Sequence, residues 1–144
     1  MGIKTEIDIN ASPEKVREVF LNFEAYSEWS KFIEQVIKPN SNAPTAGDKL
    51  EVTINPGSKM VMKPTLLKNT EEEFQWKGTL GIPGLFDGTH RFQFVKTDDN
   101  KTHFIQSEEF SGILTWPILY FVQDSTVQGF KDFNEALKKR AESQ

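Results

Sequence analysis

Two side chains raise the question of chemistry in this sequence. His90 lies in Gly88-Thr-His-Arg-Phe-Gln-Phe94, and Glu108 lies in Phe104-Ile-Gln-Ser-Glu-Glu-Phe110. In a strand, successive side chains point to opposite faces. A face that holds Phe92 and Phe94 therefore also holds His90. A face that holds Phe104 and Phe110 also holds Gln106 and Glu108. Between the two stretches, Asp98-Asp99-Asn100 is a hairpin signal. A three-residue loop pairs Thr97 with Lys101, then Phe94 with Phe104, Phe92 with Gln106 and His90 with Glu108. A two-residue loop would set Phe92 against Ser107 and break the match of faces, so the first register is predicted. A carboxyl beside an imidazole in apolar surroundings has two readings. As an acid–base pair, the carboxylate raises the histidine pKa while burial lowers it. As a structural pair, the two satisfy each other near the sheet rim.

Other chemistries find less support. The chain has no cysteine and two histidines, which removes thiol nucleophiles, disulfides and cysteine-based zinc sites. His90 and His103 have opposite parity on neighbouring strands and should face opposite sides, no calcium-loop spacing is present, and no metal site is expected. No nucleophile with a positioned base is visible. Gly78, Gly81, Gly84 and Gly88 lack the lysine of a phosphate-cradling loop, and no helix begins after them. Gly81-Ile82-Pro83-Gly84 reads instead as a turn or bulge between strands.

The elements that must position His90 and Glu108 follow from periodicity. Ile3, Thr5, Ile7 and Ile9 alternate with charged residues, as in a half-buried strand. Ser12-Pro13-Glu14 starts a helix, with Ser12 as N-cap and Pro13 in the first turn. Tyr26 to Phe32 reads as a second, short helix. Strand-like segments follow at Ile33 to Lys38, Lys49 to Asn55, Met60 to Leu67 (with Pro64 marking an edge or bulge), and Phe74, Trp76 and Leu80. Phe86 to Val95 and Thr102 to Phe110 form the hairpin. A long helix, roughly Pro117 to Glu142, closes the chain, with Leu119, Thr126, Phe130, Phe133 and Leu137 on one stripe. Gln123 and Thr126 lie near this stripe at about 100° per residue, and inward polar groups need partners. Gly129, in mid-helix, costs about 1 kcal/mol relative to alanine and permits a close approach by the sheet or a bend. A strand, two helices, about six strands and a long helix make an α+β domain.

The 144 residues, 37% hydrophobic with a net charge of -4, fit one globular domain, residues 1–144, with a core that needs no staples. An acidic balance offers no counterion-displacing surface, so no nucleic-acid partner is expected. The N-terminus has no apolar run that would read as a signal peptide, and no stretch reaches the length of a membrane span. The expectation is a cytoplasmic protein without stable membrane insertion.

Several features together resemble the START-like, or SRPBCC, superfamily of polyketide cyclases, plant pathogenesis-related proteins and lipid-transfer domains. They are the opening strand followed by Ala11-Ser-Pro-Glu-Lys-Val16, the Tyr26-Ser-Glu-Trp29 segment, Ala46-Gly47-Asp48 entering a strand, and the long final helix. The resemblance covers essentially the whole chain. It implies a helix-grip fold, in which a curved antiparallel sheet of about six to seven strands wraps the C-terminal helix and two short helices after the first strand plug one end. It also implies a cavity for an apolar or amphipathic small molecule, with no cofactor. Candidate lining residues are Trp29, Trp76, Phe86, Phe92, Phe94, Phe104, Gln106, Phe110, Trp116, Phe121, Gln123, Thr126 and Phe130. Three functions are compatible with the resemblance: carriage of a hydrophobic molecule, a cyclase- or dehydratase-like reaction with His90 and Glu108 as acid and base, or partner binding of the kind found in activators of chaperone ATPases. The last would require an exposed apolar patch.

Overall fold

The computed structural model describes residues 2–79 and 82–144. Strand β1 (Gly2–Ile9) leads into helix α1 (Pro13–Leu21), where the Ser12 hydroxyl accepts from the Lys15 N–H at 3.2 Å as the N-cap. A short 3-10 helix follows at Phe23–Glu28. It lies earlier than the expected Tyr26 to Phe32. Tyr26 is drawn inward, donating from its hydroxyl to the Phe20 carbonyl at 2.6 Å, and Phe32 lies in the bend that leads into the next strand.

Strands β2 (Ile33–Ile37), β3 (Glu51–Ile54) and β4 (Met60–Met62) form a three-stranded antiparallel sheet in the order β2-β3-β4. Strands β5 (Thr65–Asn69), β6 (Glu73–Thr79), β7 (Asp87–Lys96) and β8 (Thr102–Ser111) join β1 in a five-stranded sheet in the order β1-β8-β7-β6-β5. The expected single strand from Met60 to Leu67 is therefore two strands in two sheets. The break falls at Lys63-Pro64, where proline has no N–H to continue a ladder. The two sheets meet there, through Leu50 N–H donating to the Pro64 carbonyl at 3.0 Å and Leu66 N–H to the Asp48 carbonyl at 2.8 Å. Among the described residues the strands number eight rather than about six to seven. Leu80 and Gly81, which the sequence assigned to a strand end and a turn, lie outside the described residues.

The final helix, α2 (Thr115–Glu142), packs its Leu119, Phe130, Phe133, Leu137 and Ala141 stripe into the concavity of the sheets. Its one buried glycine sets how close it comes. A Cβ on Gly129 would lie 2.3 Å from the Phe32 ring, which is itself buried against Phe130. Of the two sequence readings, close approach is the one realised, by the lead into β2. Gly129→Ala is expected to destabilise the protein by about 1–3 kcal/mol through overpacking, in spite of alanine's better helix propensity. Urea denaturation of the two proteins checks this, and a stabilised variant would refute it.

One end of the interior is solid. Phe20 of α1 meets Phe74, Phe92, Phe94 and Phe133 with ring centroids 4.7–6.2 Å apart, edge-on for the most part, the favoured geometry for such pairs. Helix α1 thus plugs the end of the sheet nearest the β7–β8 turn. The other end is where the remaining inward-facing residues are free to line a space.

Candidate functional site

Strands β7 and β8 have the register the three-residue turn requires. Phe94 pairs with Phe104, Phe92 with Gln106 and His90 with Glu108. Thr97 N–H donates to the Lys101 carbonyl at 2.9 Å, and Asn100 takes the left-handed conformation at φ 57 that closes the turn. His103, one residue out of phase, faces outward. There it is held between Asp8 (Nδ1, 2.7 Å) and Glu6 (Nε2, 2.9 Å), which raise its pKa.

A cavity of about 200 Å³ opens between β6–β8, the β3–β4 hairpin and the first half of α2. The structure brings seven of the sequence candidates to it: Trp76, Phe86, His90, Glu108, Phe110, Thr126 and Phe130. The others lie elsewhere. Phe92, Phe94 and Phe104 are in the solid end, packed around Phe20 and each other. Trp29 packs with tilted rings against Tyr26 and Phe133 beside a small polar cleft at the far end of α2. Trp116 and Phe121 stand in solvent, 74% and 82% exposed, and Gln123 is also exposed. The stripe on α2 is narrower near its start than the sequence implied, because the sheet diverges from the helix there. Gln106 is fully buried, one step behind the cavity wall. Missing from the sequence candidates are Phe32, Ile54, Met60, Met62 and Val122, which also line the space. The methionines alternate on β4 and could have been found by that period had the strand been ended at Pro64.

Behind the wall, a chain of hydrogen bonds fixes the state of His90. Its two ends are backbone carbonyls, which can do nothing but accept. The Thr5 hydroxyl donates to the Gln106 carbonyl (3.2 Å), so its oxygen accepts from Asn134 Nδ2 (2.8 Å). Asn134 Oδ1 then accepts from Gln106 Nε2 (2.7 Å), and that same nitrogen also donates to the Phe130 carbonyl (3.3 Å). Gln106 is left to present its oxygen, Oε1, to His90 Nε2 at 2.9 Å. The proton of the imidazole must therefore sit on Nε2, and Nδ1 carries the lone pair. Nδ1 faces Glu108 Oε1 at 3.5 Å.

Both titratable groups are driven to their neutral forms. Burial between the Phe92 and Phe130 rings lowers the His90 pKa to about 4, against the opposing effect of the Gln106 hydrogen bond. Burial raises the Glu108 carboxyl to about 8. This reverses the polarity that an ion pair would have. At neutral pH Glu108 is a carboxylic acid whose proton has a lone pair behind it, on His90, and the cavity in front. Gly88 makes the space for it: a Cβ there would lie 2.2 Å from Glu108 Oε2. Trp76, across β6–β7 from His90, closes the wall, its buried indole N–H without a hydrogen-bond partner among the described residues and its ring edge-on to His90 and Phe92. Among the described residues, no three His, Asp or Glu side chains are grouped to hold a metal ion.

The eight strands, the plugging helix and the long helix gripped over a cavity define a helix-grip protein of the START-like superfamily. The chain belongs to the polyketide cyclase / dehydrase and lipid transport family, whose model matches residues 2–142. Among solved structures, it is similar to a hypothetical protein of Helicobacter pylori (TM-score 0.80, 11% identity, covering 98% of this chain and 88% of that one). It is also similar to an aromatase/cyclase of Streptomyces (TM-score 0.78, 13% identity, 99% and 93%) and to a START superfamily protein of Mycobacterium smegmatis (TM-score 0.73, 19% identity, 99% and 97%). At these identities the likeness is one of fold. No curated protein matches the sequence. Family and fold point to hydrophobic ligand binding or cyclase-like chemistry.

Proposed function

We propose that the protein binds a small, largely apolar molecule in the β6–β8 cavity, and that the protonated carboxyl of Glu108 donates a directional hydrogen bond to it. The observation that carries this reading is a space of about 200 Å³, walled mainly by apolar side chains, aromatic, aliphatic and methionine, with a single un-ionised acid at its wall. Apolar cavities of roughly 150 Å³ stay dry and take up a benzene-sized guest, whereas drug-sized ligands need roughly 300 Å³ or more. The volume therefore fits one or two rings, or a short chain, with an oxygen that can accept from Glu108.

Gly78 supplies the test. It lines the cavity, and a Cβ there would meet Pro64 Cβ at 3.9 Å and Met62 Sδ at 4.0 Å, ordinary contacts. Gly78→Val should therefore fill part of the space without strain and remove a strand glycine as well. Titration calorimetry with 2-naphthol, a two-ring probe bearing a hydroxyl, should show about tenfold or greater loss of affinity with no loss of thermal stability. Equal affinity in the two proteins would place the ligand elsewhere. Native mass spectrometry of freshly purified protein should in addition show a retained small molecule.

A second reading is favoured by the same proton. A neutral acid with a lone pair behind it suits a dehydration: Glu108 protonates the departing hydroxyl, which leaves as water, while the His90 Nδ1 lone pair accepts the proton lost from the neighbouring carbon and returns it to the Glu108 carboxylate. Holding a reactive chain in one conformation supplies much of the rest. In this reading Glu108 is the acid and His90 the group that holds the proton between steps. Equal turnover of a candidate substrate by wild type and His90→Ala would remove the histidine from such a mechanism.

A further inference from the structure

The first turns of α2 are apolar on every side. Trp116-Pro-Ile-Leu-Tyr-Phe-Val122 contains no polar side chain beyond the tips of Trp116 and Tyr120, and no charged residue occurs from Phe110 to Gln123. A helix that is apolar all round has to be covered on all sides. One side is accounted for, since Ile118, Leu119 and Val122 wall the cavity. The opposite side is not. Trp116, Tyr120 and Phe121 are 74%, 82% and 82% exposed, Ile113 just before the helix is exposed too, and Tyr120 and Phe121 touch edge to face. At about 100° per residue these positions form one outward face that ends at Asp124.

Three features select what covers it. The exposed set is Trp, Tyr, Phe and Ile, the amphipathic aromatics that settle at a membrane–water boundary together with an aliphatic anchor. Seven apolar residues are too few to span a bilayer but are suited to lying in its interface, and among the described residues no helix is long and apolar enough to cross a membrane. The opposite lip of the cavity mouth is the β3–β4 hairpin, with Pro56, Met60 and Met62 on the cavity, Lys63 beside them, and Lys59, which is exposed but pairs with Glu34 of β2 at 3.1 Å. From Val52 to Thr70 the chain has lysines and no acidic residue, against a net charge of -4 overall. The two lips together present aromatic side chains and cations, which is complementary to an anionic lipid surface. We propose that the start of α2 and the β3–β4 hairpin dock this protein on an anionic bilayer, with the cavity mouth beside the lipid. The proposal stands on the outer surface and not on the cavity reading, so the two can fail separately.

The test is co-sedimentation of the full chain with vesicles of phosphatidylcholine containing one quarter phosphatidylglycerol. Wild type should sediment with them, and Trp116 emission should shift to the blue. Trp116→Ser/Tyr120→Ser/Phe121→Ser, which alters exposed positions, should keep its melting temperature and partition about tenfold less or lower. Lys59→Gln/Lys63→Gln should weaken binding to these vesicles and reduce its salt dependence. Absence of vesicle binding by wild type, or equal binding by the triple serine variant, would overturn the proposal. So would a wild-type dimer in light scattering that the serine variant converts to monomer, since the face would then be an interface between two copies.

Discussion

Glu108→Gln is expected to remove the alkaline loss of stability that wild type should show. The folded state binds the Glu108 proton more tightly than the unfolded chain, with a pKa of about 8 against an ordinary 4.5. For such a raised pKa, the added stability is fully present below the unfolded value and is lost as pH rises through the folded one. Between pH 5.5 and 8.5 the loss is on the order of 3 kcal/mol, since each tenfold difference in proton affinity is worth about 1.4 kcal/mol. His90 acts with the opposite sign. Its folded pKa is lowered to about 4, so its contribution is present above the unfolded value near 6.5 and is lost as pH falls through 4. Wild type should thus be most stable at mildly acidic pH. The exposed His103, raised by Glu6 and Asp8, also loses stability as pH rises, but it is common to both proteins and cancels in the comparison. Denaturation midpoints across the pH range provide the measurement, and parallel profiles for wild type and Glu108→Gln would contradict the assignment.

Gln106→Leu should have a comparable effect for a different reason. The glutamine is fully buried, and its amide joins His90, Asn134 and the Phe130 carbonyl. Leucine keeps roughly the shape but orphans the His90 Nε2–H and Asn134 Oδ1. A buried polar group left without its partner costs about 1–3 kcal/mol, so the expected destabilisation is about 3 kcal/mol. The variant also frees the imidazole from the tautomer imposed on it. A proton on Nδ1 would then donate to Glu108 and favour its carboxylate, lowering the Glu108 pKa. Nitrogen-15 spectra of the imidazole read the tautomer directly. Adding Asn134→Leu should cost less than the two single changes summed, because both partners are then apolar. Additive losses, or an unchanged tautomer, would contradict the role given to the carbonyl-anchored chain.

The sequence made much of this legible where a local rule had no competitor. Asp98-Asp99-Asn100 fixed one turn, and strand parity then carried the register from Phe94 to His90. Ser12-Pro13 began α1 for the same kind of reason. Depth was another matter. Parity places Phe92, Phe94, Phe104 and His90 on one face, but it does not say that Phe20 and Phe133 fill the space over the first three and leave it open beside the fourth. That depends on where α1 lands. Gln123 stands in solvent although it lies near the apolar stripe, because helical period predicts a face but not where along the helix the sheet stops covering it. The role of Gln106 was hidden for a further reason. Its face was readable, yet its partners Thr5 and Asn134 are 101 and 28 residues away, and no local pattern joins them. Pro64 carried the right signal, an interruption, but periodicity on either side made it look like a flaw in one strand rather than the seam between two sheets.

The claim on which the rest depends is that the cavity holds an acid in its neutral form beside a neutral histidine. Carbon-13 NMR of the Glu108 side-chain carboxyl, followed against pH in the wild-type protein without added ligand, measures this directly. The structure predicts a half-titration near pH 8, with the His90 imidazole uncharged and protonated on Nε2 throughout the neutral range. A carboxyl that titrates near 4.5, with His90 carrying a proton on both nitrogens at pH 7, would make the pair an ion pair and contradict the account.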